Sequence, residues 1–388
     1  MMTTADQRVS AEASAETRNA ETRNGALDAF RAVMTLLVLF HHTAITYGGA
    51  GSWYYREIKP DGSATSTALL FFCAINQAYF MGVFFLLAGY FTPPSLERKG
   101  PLRFLGERLL RLGLPLLIYG FVIGPATIAL ARTSDGKPFM ETFASLWQRG
   151  VFEPGPMWFV EALLIFALAA VIVVALAGRS DRREQPFPSN TALAIAALAT
   201  GAAAFVIRLW WPTGSNILGL QFGYFASYIV LFVFGCMAAA PRWLEHVPEA
   251  AMARWRTIMW CALPVLPVFA LLGDHVELMR GGPEGGWTIP AIAYAFWEPL
   301  VAWGLILTLL VVFQQHFVQL NRNWRMLTER AYAIYIIHPP VLVAIALQLR
   351  GVQAPALIKF VATGTLCCLA CFYLAGLLRR IPGATRVI

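Results

Sequence analysis

The sequence predicts an all-α, polytopic membrane protein of about ten transmembrane helices with both termini in the cytoplasm, and three observations carry that prediction. Of the 388 residues, 58% are apolar and only 13% charged, at a mean hydropathy of +0.59, whereas soluble domains are roughly a quarter charged. Ten segments approach or exceed the roughly 20 apolar residues that a helix needs to cross a bilayer. With the amino terminus placed inside, 20 of the 30 Lys and Arg residues fall on the cytoplasmic side and 8 on the other, with Arg31 and Lys359 in or at spans. That is the bias of the positive-inside rule, and a miscounted span would scramble it. The net charge of +8 therefore needs no nucleic-acid partner.

Residues 1–24 are polar, rich in Ala, Thr, Glu and Arg and without apolar periodicity, so a disordered cytoplasmic tail is expected. No cleavable signal peptide is expected before the first span, whose apolar run is too long for one. The transmembrane domain is expected over 25–380, and 381–388 as a short cytoplasmic tail. Span one, 27–47, lies in the run ALDAFRAVMTLLVLFHHTAITY. Span two, 67–91, carries the polar pair Asn76 and Gln77 and ends FFLLAGYF, whose Gly89 permits close helix approach. Span three, 109–131, is entered through GPLRFLGERLLRLGLP, and span four, 157–177, starts only after Pro154 and Pro156 have stopped any earlier helix. Span five is 191–207 and span six 222–240. Span seven, 257–273, is short and interrupted by Pro264 and Pro267. Spans eight to ten are 289–313 with Glu298 before Pro299, 331–349 with an HPP triplet, and 356–378. Trp53, Tyr54, Tyr55, Trp147, Trp210 and Trp211 fall where interfacial anchors are expected.

Ionisable residues inside an apolar span are costly and mark functional sites. Span one holds Asp28 and Arg31 near its start and His41 and His42 near its end. Eleven helical steps separate Arg31 from His42, which places them within about 20° of one face and roughly 16 Å apart along the axis. One groove is thus expected to hold an anion-binding arginine and a proton-transferring histidine. The alternative is that Arg31 snorkels to headgroups while the histidines pack.

Arg108 and Arg111, three apart, share an expected helix face at the membrane level of Arg31 and suit bidentate phosphate binding. Alternatively, they are positive-inside anchors. Trp158 and Glu161 open span four, with Glu161 placed either to orient a histidine or to pair with a neighbouring polar group. His338 precedes Pro339 and Pro340, which leave backbone carbonyls without helical donors. It reads either as a cavity wall or as a histidine donating to a freed carbonyl.

The six cysteines Cys73, Cys236, Cys261, Cys367, Cys368 and Cys371 lie in apolar spans and show neither a disulfide framework nor metal-ligand spacing. There is no P-loop, HExxH helix or GxSxG elbow, which argues against ATP hydrolysis and metalloprotease chemistry.

With these residues in hand, the chain resembles the integral-membrane acyltransferase 3 family, and in particular the branch with the glucan succinyltransferase of periplasmic glucan synthesis. The resemblance rests on LDAFRAVMTLLVLFHH, matching an Arg-x10-His pattern at Arg31 and His42. Further landmarks are MGVFFLLAGYF, the RxxR at Arg108 and Arg111, PMWFVEALLIF, LFVFGCMA and AYAIYIIHPP, all in family order from 26 to 378. It implies transfer of an acetyl- or succinyl-class group from cytoplasmic acyl-CoA to a hydroxyl of an extracytoplasmic carbohydrate or glycan. No cofactor would be held permanently.

Under that resemblance His42 would be the general base and Asp28 would orient Arg31. Arg31, Arg108 and Arg111 would take the CoA phosphates, and His338 would polarise the thioester or bind the acceptor. Trp158, Glu161 and Tyr335 would bind substrate. Some family members carry a fused extracytoplasmic hydrolase domain. The chain stops at Ile388 without one, so the transfer is expected to be completed either by the membrane domain or by a separate partner enzyme. Arg outnumbers Lys 26 to 4, which hints at a GC-rich bacterium and hence an inner-membrane location. The rival reading is a proton-coupled secondary transporter using the same intramembrane Arg, His and Glu, with Pro-broken spans to suit. A second rival is a structural subunit in which these charges merely pair.

Overall fold

The computed structural model describes residues 24–177, 185–272 and 282–387. The amino-terminal tail, the link bearing Arg179, Arg182 and Arg183, and most of the glycine-rich stretch from Asp274, with Arg280, lie outside the described residues. The helices are α1 (Gly25–Thr46), α2 (Ala64–Lys99), α3 (Pro101–Asp135), α4 (Phe139–Gln148), α5 (Trp158–Ala177), α6 (Asn190–Arg208), α7 (Phe225–Ala238), α8 (Glu249–Ala262), α9 (Val265–Leu272), α10 (Ile289–His316), α11 (Arg322–Gln348) and α12 (Ala356–Leu378). No strand occurs among the described residues, only two isolated bridges.

Among the described residues, eight helices are long and apolar enough to cross a membrane: α1, α2, α3, α5, α6, α10, α11 and α12, with the turn Gly155–Met157 extending α5. This is a multi-pass membrane protein. The sixth expected span is the shorter apolar segment Phe222–Ala238. The seventh is divided into α8 and α9 by a turn at residues 263–264, where Pro264 supplies no N–H to carry the helical ladder on.

α1 sits centrally, packed against α2, α10, α11 and α12. Its start is fixed by Asn24, whose side chain accepts from the Leu27 N–H at 3.1 Å, satisfying one of the helix's orphan donors. α2 and α7 cross where each has a glycine. A Cβ on Gly89 would collide with the Phe232 carbonyl, and one on Gly235 with the Leu86 carbonyl, so the two backbones approach as only small residues allow.

Prolines shape the remaining spans in a consistent way, because each leaves the carbonyl four residues earlier without its helical donor. Within α3, two π-turns, Leu109–Gly113 and Tyr119–Ile123, precede Pro115 and Pro125. The Tyr332 hydroxyl of α11 donates to the Arg111 carbonyl at 2.9 Å, four residues before Pro115. The π-turn also widens the helix between the two arginines expected on one face: Arg108 is half-buried with its guanidinium 5.1 Å from the Phe104 ring centre, and Arg111 is exposed.

One buried ion pair was not foreseen. Arg208, 1% exposed at the end of α6, is bonded to Glu298 of α10, and its Nε donates to the Gly223 carbonyl at 2.9 Å. Its guanidinium also lies over the rings of Tyr224 and Tyr294, at 5.3 and 5.2 Å.

Candidate active site

Near the end of α1, His41 and His42 line a cavity of about 1300 Å³, larger than most small-molecule pockets. Its walls come from the loop after α1, the middle of α2, the segment 152–156, the start of α5, the α6–α7 link and the start of α10. Arg31, Arg108 and Arg111 do not line it. Arg31 is half-exposed and its Nη2 reaches the Asp28 carboxylate at 2.6 Å, so the arginine and histidine of the expected stripe sit at opposite ends of α1.

At the floor of the cavity lies His42, backed by a second imidazole, His338. His42 Nδ1 and His338 Nε2 are 3.0 Å apart, and the rings are nearly coplanar, at 7°. His338 is fully buried, and its Nδ1 lies 2.6 Å from the Tyr335 carbonyl. Pro339 frees that carbonyl, and the preceding histidine takes it up. A carbonyl only accepts, so His338 Nδ1 carries a proton, and the neutral ring offers its Nε2 as acceptor. His42 must then donate from Nδ1, which leaves its Nε2 with a basic lone pair and, among the described residues, no hydrogen-bond partner. With both nitrogens engaged and no exposed surface, His338 does not reach the cavity. Its contact is with His42 rather than with the cavity.

Other predicted residues divide. Trp158 and Tyr335 line the cavity, and the Tyr335 hydroxyl donates to the Pro156 carbonyl, tying α11 to the turn before α5. Glu161 does not line it, and its buried Oε2 has no hydrogen-bond partner among the described residues. His41 is buried against Phe80, ring centres 4.8 Å apart, with Nδ1 unpartnered among the described residues. Gln77 points polarity into the cavity wall, donating to the Tyr228 hydroxyl at 3.2 Å.

Two residues of the site escaped the sequence reading. Glu153 lines the cavity, held by the Gly155 N–H at 3.1 Å and the Tyr54 hydroxyl at 3.4 Å. Burial beside Tyr119 and Glu153 pushes the Tyr54 phenol well above its ordinary range, so it stays a neutral donor. Trp53, expected as an interfacial anchor, instead stacks on His42 with ring centres 3.9 Å apart and planes 11° apart. Trp147, Trp210 and Trp211 are exposed, as anchors are.

The profile of a known acyltransferase domain matches residues 24–379. The chain belongs to the acyltransferase 3 family. Nearly the whole described bundle is therefore an acyltransferase domain, and the transporter reading gives way to a membrane-bound acyltransferase. Searches of curated proteins and of solved structures returned no match. Within this acyltransferase, Arg31 stands on α1 beside Asp28 and His42 beside His338.

Proposed function

We propose that this acyltransferase moves an acetyl- or succinyl-class group from acyl-CoA, bound at the arginine end of the bundle, to a hydroxyl of a carbohydrate or glycan in the cavity. One observation carries the reading: His42 lines the cavity with Nε2 unengaged among the described residues, while its Nδ1 is held by a second, buried histidine. The acceptor hydroxyl gives its proton to His42 Nε2 as its oxygen attacks the thioester carbonyl. A C–O bond forms, the tetrahedral intermediate breaks its C–S bond, and the imidazolium returns the proton to the departing CoA sulfur. While His42 is charged, its Nδ1–H bond to His338 becomes charge-assisted and stronger.

Arg108, Arg111 and Arg31, the last oriented by Asp28, would neutralise the CoA phosphates. Trp158 and Tyr335 would contact the acceptor from the cavity wall. The family resemblance and the cation bias favour the glucan succinyltransferase branch and a bacterial inner membrane, both termini and the arginine end inside. The domain would span 25–380, no cofactor would be held permanently, and a separate extracytoplasmic enzyme is a candidate partner. Mass spectrometry of surface glycans from cells with and without the gene tests the whole reading. One ester mass should vanish with the gene and name the acyl group; identical ester content in both would sink it.

A further inference from the structure

The loop between α1 and α2 is folded back onto the histidines and fastened there. Gly48 and Gly51, at φ 114° and 131°, turn the chain through conformations that other residues resist. The Glu57 and Ile58 N–H groups donate to the Thr46 carbonyl at 3.0 and 3.1 Å. Glu57 pairs with buried Lys359 of α12, and the Ser66 hydroxyl donates to the Gly48 carbonyl at 2.8 Å. What this clamp holds in place is Trp53. Its indole lies nearly parallel to His42, at 3.9 Å and 11°, and to His338, at 5.9 Å and 10°. One indole therefore covers the common plane of both imidazoles.

We propose that Trp53 is a positioning residue for the histidine pair, fixing the plane of His42 and stabilising through its π face the imidazolium that forms when His42 accepts a proton. The other titratable groups near the pair are His41, edge-on to His42 at 5.7 Å, and Tyr335, 5.8 Å from His338. Among the described residues no carboxylate hydrogen-bonds either ring. The transient positive charge is met by aromatic surface, and tryptophan is the side chain whose face attracts a cation most strongly. Two rotatable bonds on a clamped loop also make the indole a rigid platform. This inference rests on His42 acting as the base.

The test compares Trp53→Phe, which keeps a ring, with Trp53→Met, which fills space without one, in purified enzyme, reading CoA thiol release from acetyl-CoA and succinyl-CoA. Trp53→Met should lower kcat about 10-fold, within the roughly 2- to 30-fold that a cation–π contact is worth, with KM little changed. Trp53→Phe should stay within about threefold of the parent, since a weaker π face remains. Trp53→Met at parental kcat, Trp53→Phe as slow as Trp53→Met, or a loss confined to KM would each overturn the proposal. Should Trp53→Met fail to insert, the His42 ring protons in Trp53→Phe decide by NMR. They should move downfield as the indole ring current is lost, and unmoved resonances would overturn it. His42→Gln separates the two readings. Activity retained there removes the base assignment itself, whereas an inactive His42→Gln beside unaffected Trp53 variants removes only the role of Trp53.

Discussion

Replacing His338 isolates the contribution of the buried half of the histidine pair. His338 does not touch the cavity, so its substitution acts through the 3.0 Å contact with His42 Nδ1. Once His42 is protonated that contact is a hydrogen bond to a charged group in a buried setting, worth about 1.5–3 kcal/mol, or roughly 10- to 150-fold in rate. His338→Leu fills most of the site but accepts nothing. It should lower kcat by about that factor and leave KM for donor and acceptor nearly unchanged. His338→Gln can place its amide oxygen near the lost Nε2 and should recover part of the rate. The assay is CoA release under saturating donor, with folding checked by the thermal midpoint in detergent. A folded His338→Leu enzyme with parental kcat, or a His338→Gln no better than His338→Leu, would refute the tautomer argument.

Three further outcomes follow from the same geometry. Arg108→Ala with Arg111→Ala should raise KM for acyl-CoA about 10-fold with kcat nearly intact, because exposed or half-exposed guanidinium groups lose part of each charged contact to water; donor titration at constant salt checks this. Gly235→Ala should destabilise by about 1–3 kcal/mol, since the new methyl meets backbone of α2 that cannot yield as a flexible side chain would, visible as a lower thermal midpoint. Glu298→Gln should destabilise by about 3–5 kcal/mol by leaving buried Arg208 uncompensated. Adding Arg208→Met to that variant should return part of the loss, measured in the same thermal unfolding.

What the sequence could show followed from how local each feature is. Apolar runs marked the helices because length and composition alone decide whether a segment suits a bilayer. Only the segments from 222 to 272 fell short of full-length spans, and there the proline break at 263–264 was already legible. Asp28 and Arg31 are one helical turn apart, and their contact is local. The pairing of His42 with His338, 296 residues apart, is not, for it depends on α11 packing against α1. The freed carbonyl before the prolines was readable, but the partner on the other imidazole nitrogen was not. Trp53 was misjudged because an irregular loop has no period to reveal which way its aromatic residue turns. Arg208 and Glu298 lie 90 positions apart, and each alone reads as an isolated charge near a span end.

In the proposed mechanism His42 Nε2 takes the acceptor's proton at the floor of the cavity. Single-turnover acyl transfer by His42→Gln, at matched membrane insertion and with donor binding measured alongside, tests it most directly. Acyl-CoA should bind as in the parent enzyme while transfer falls by at least about 100-fold, the scale of a lost general base. Transfer at the parental rate would contradict it.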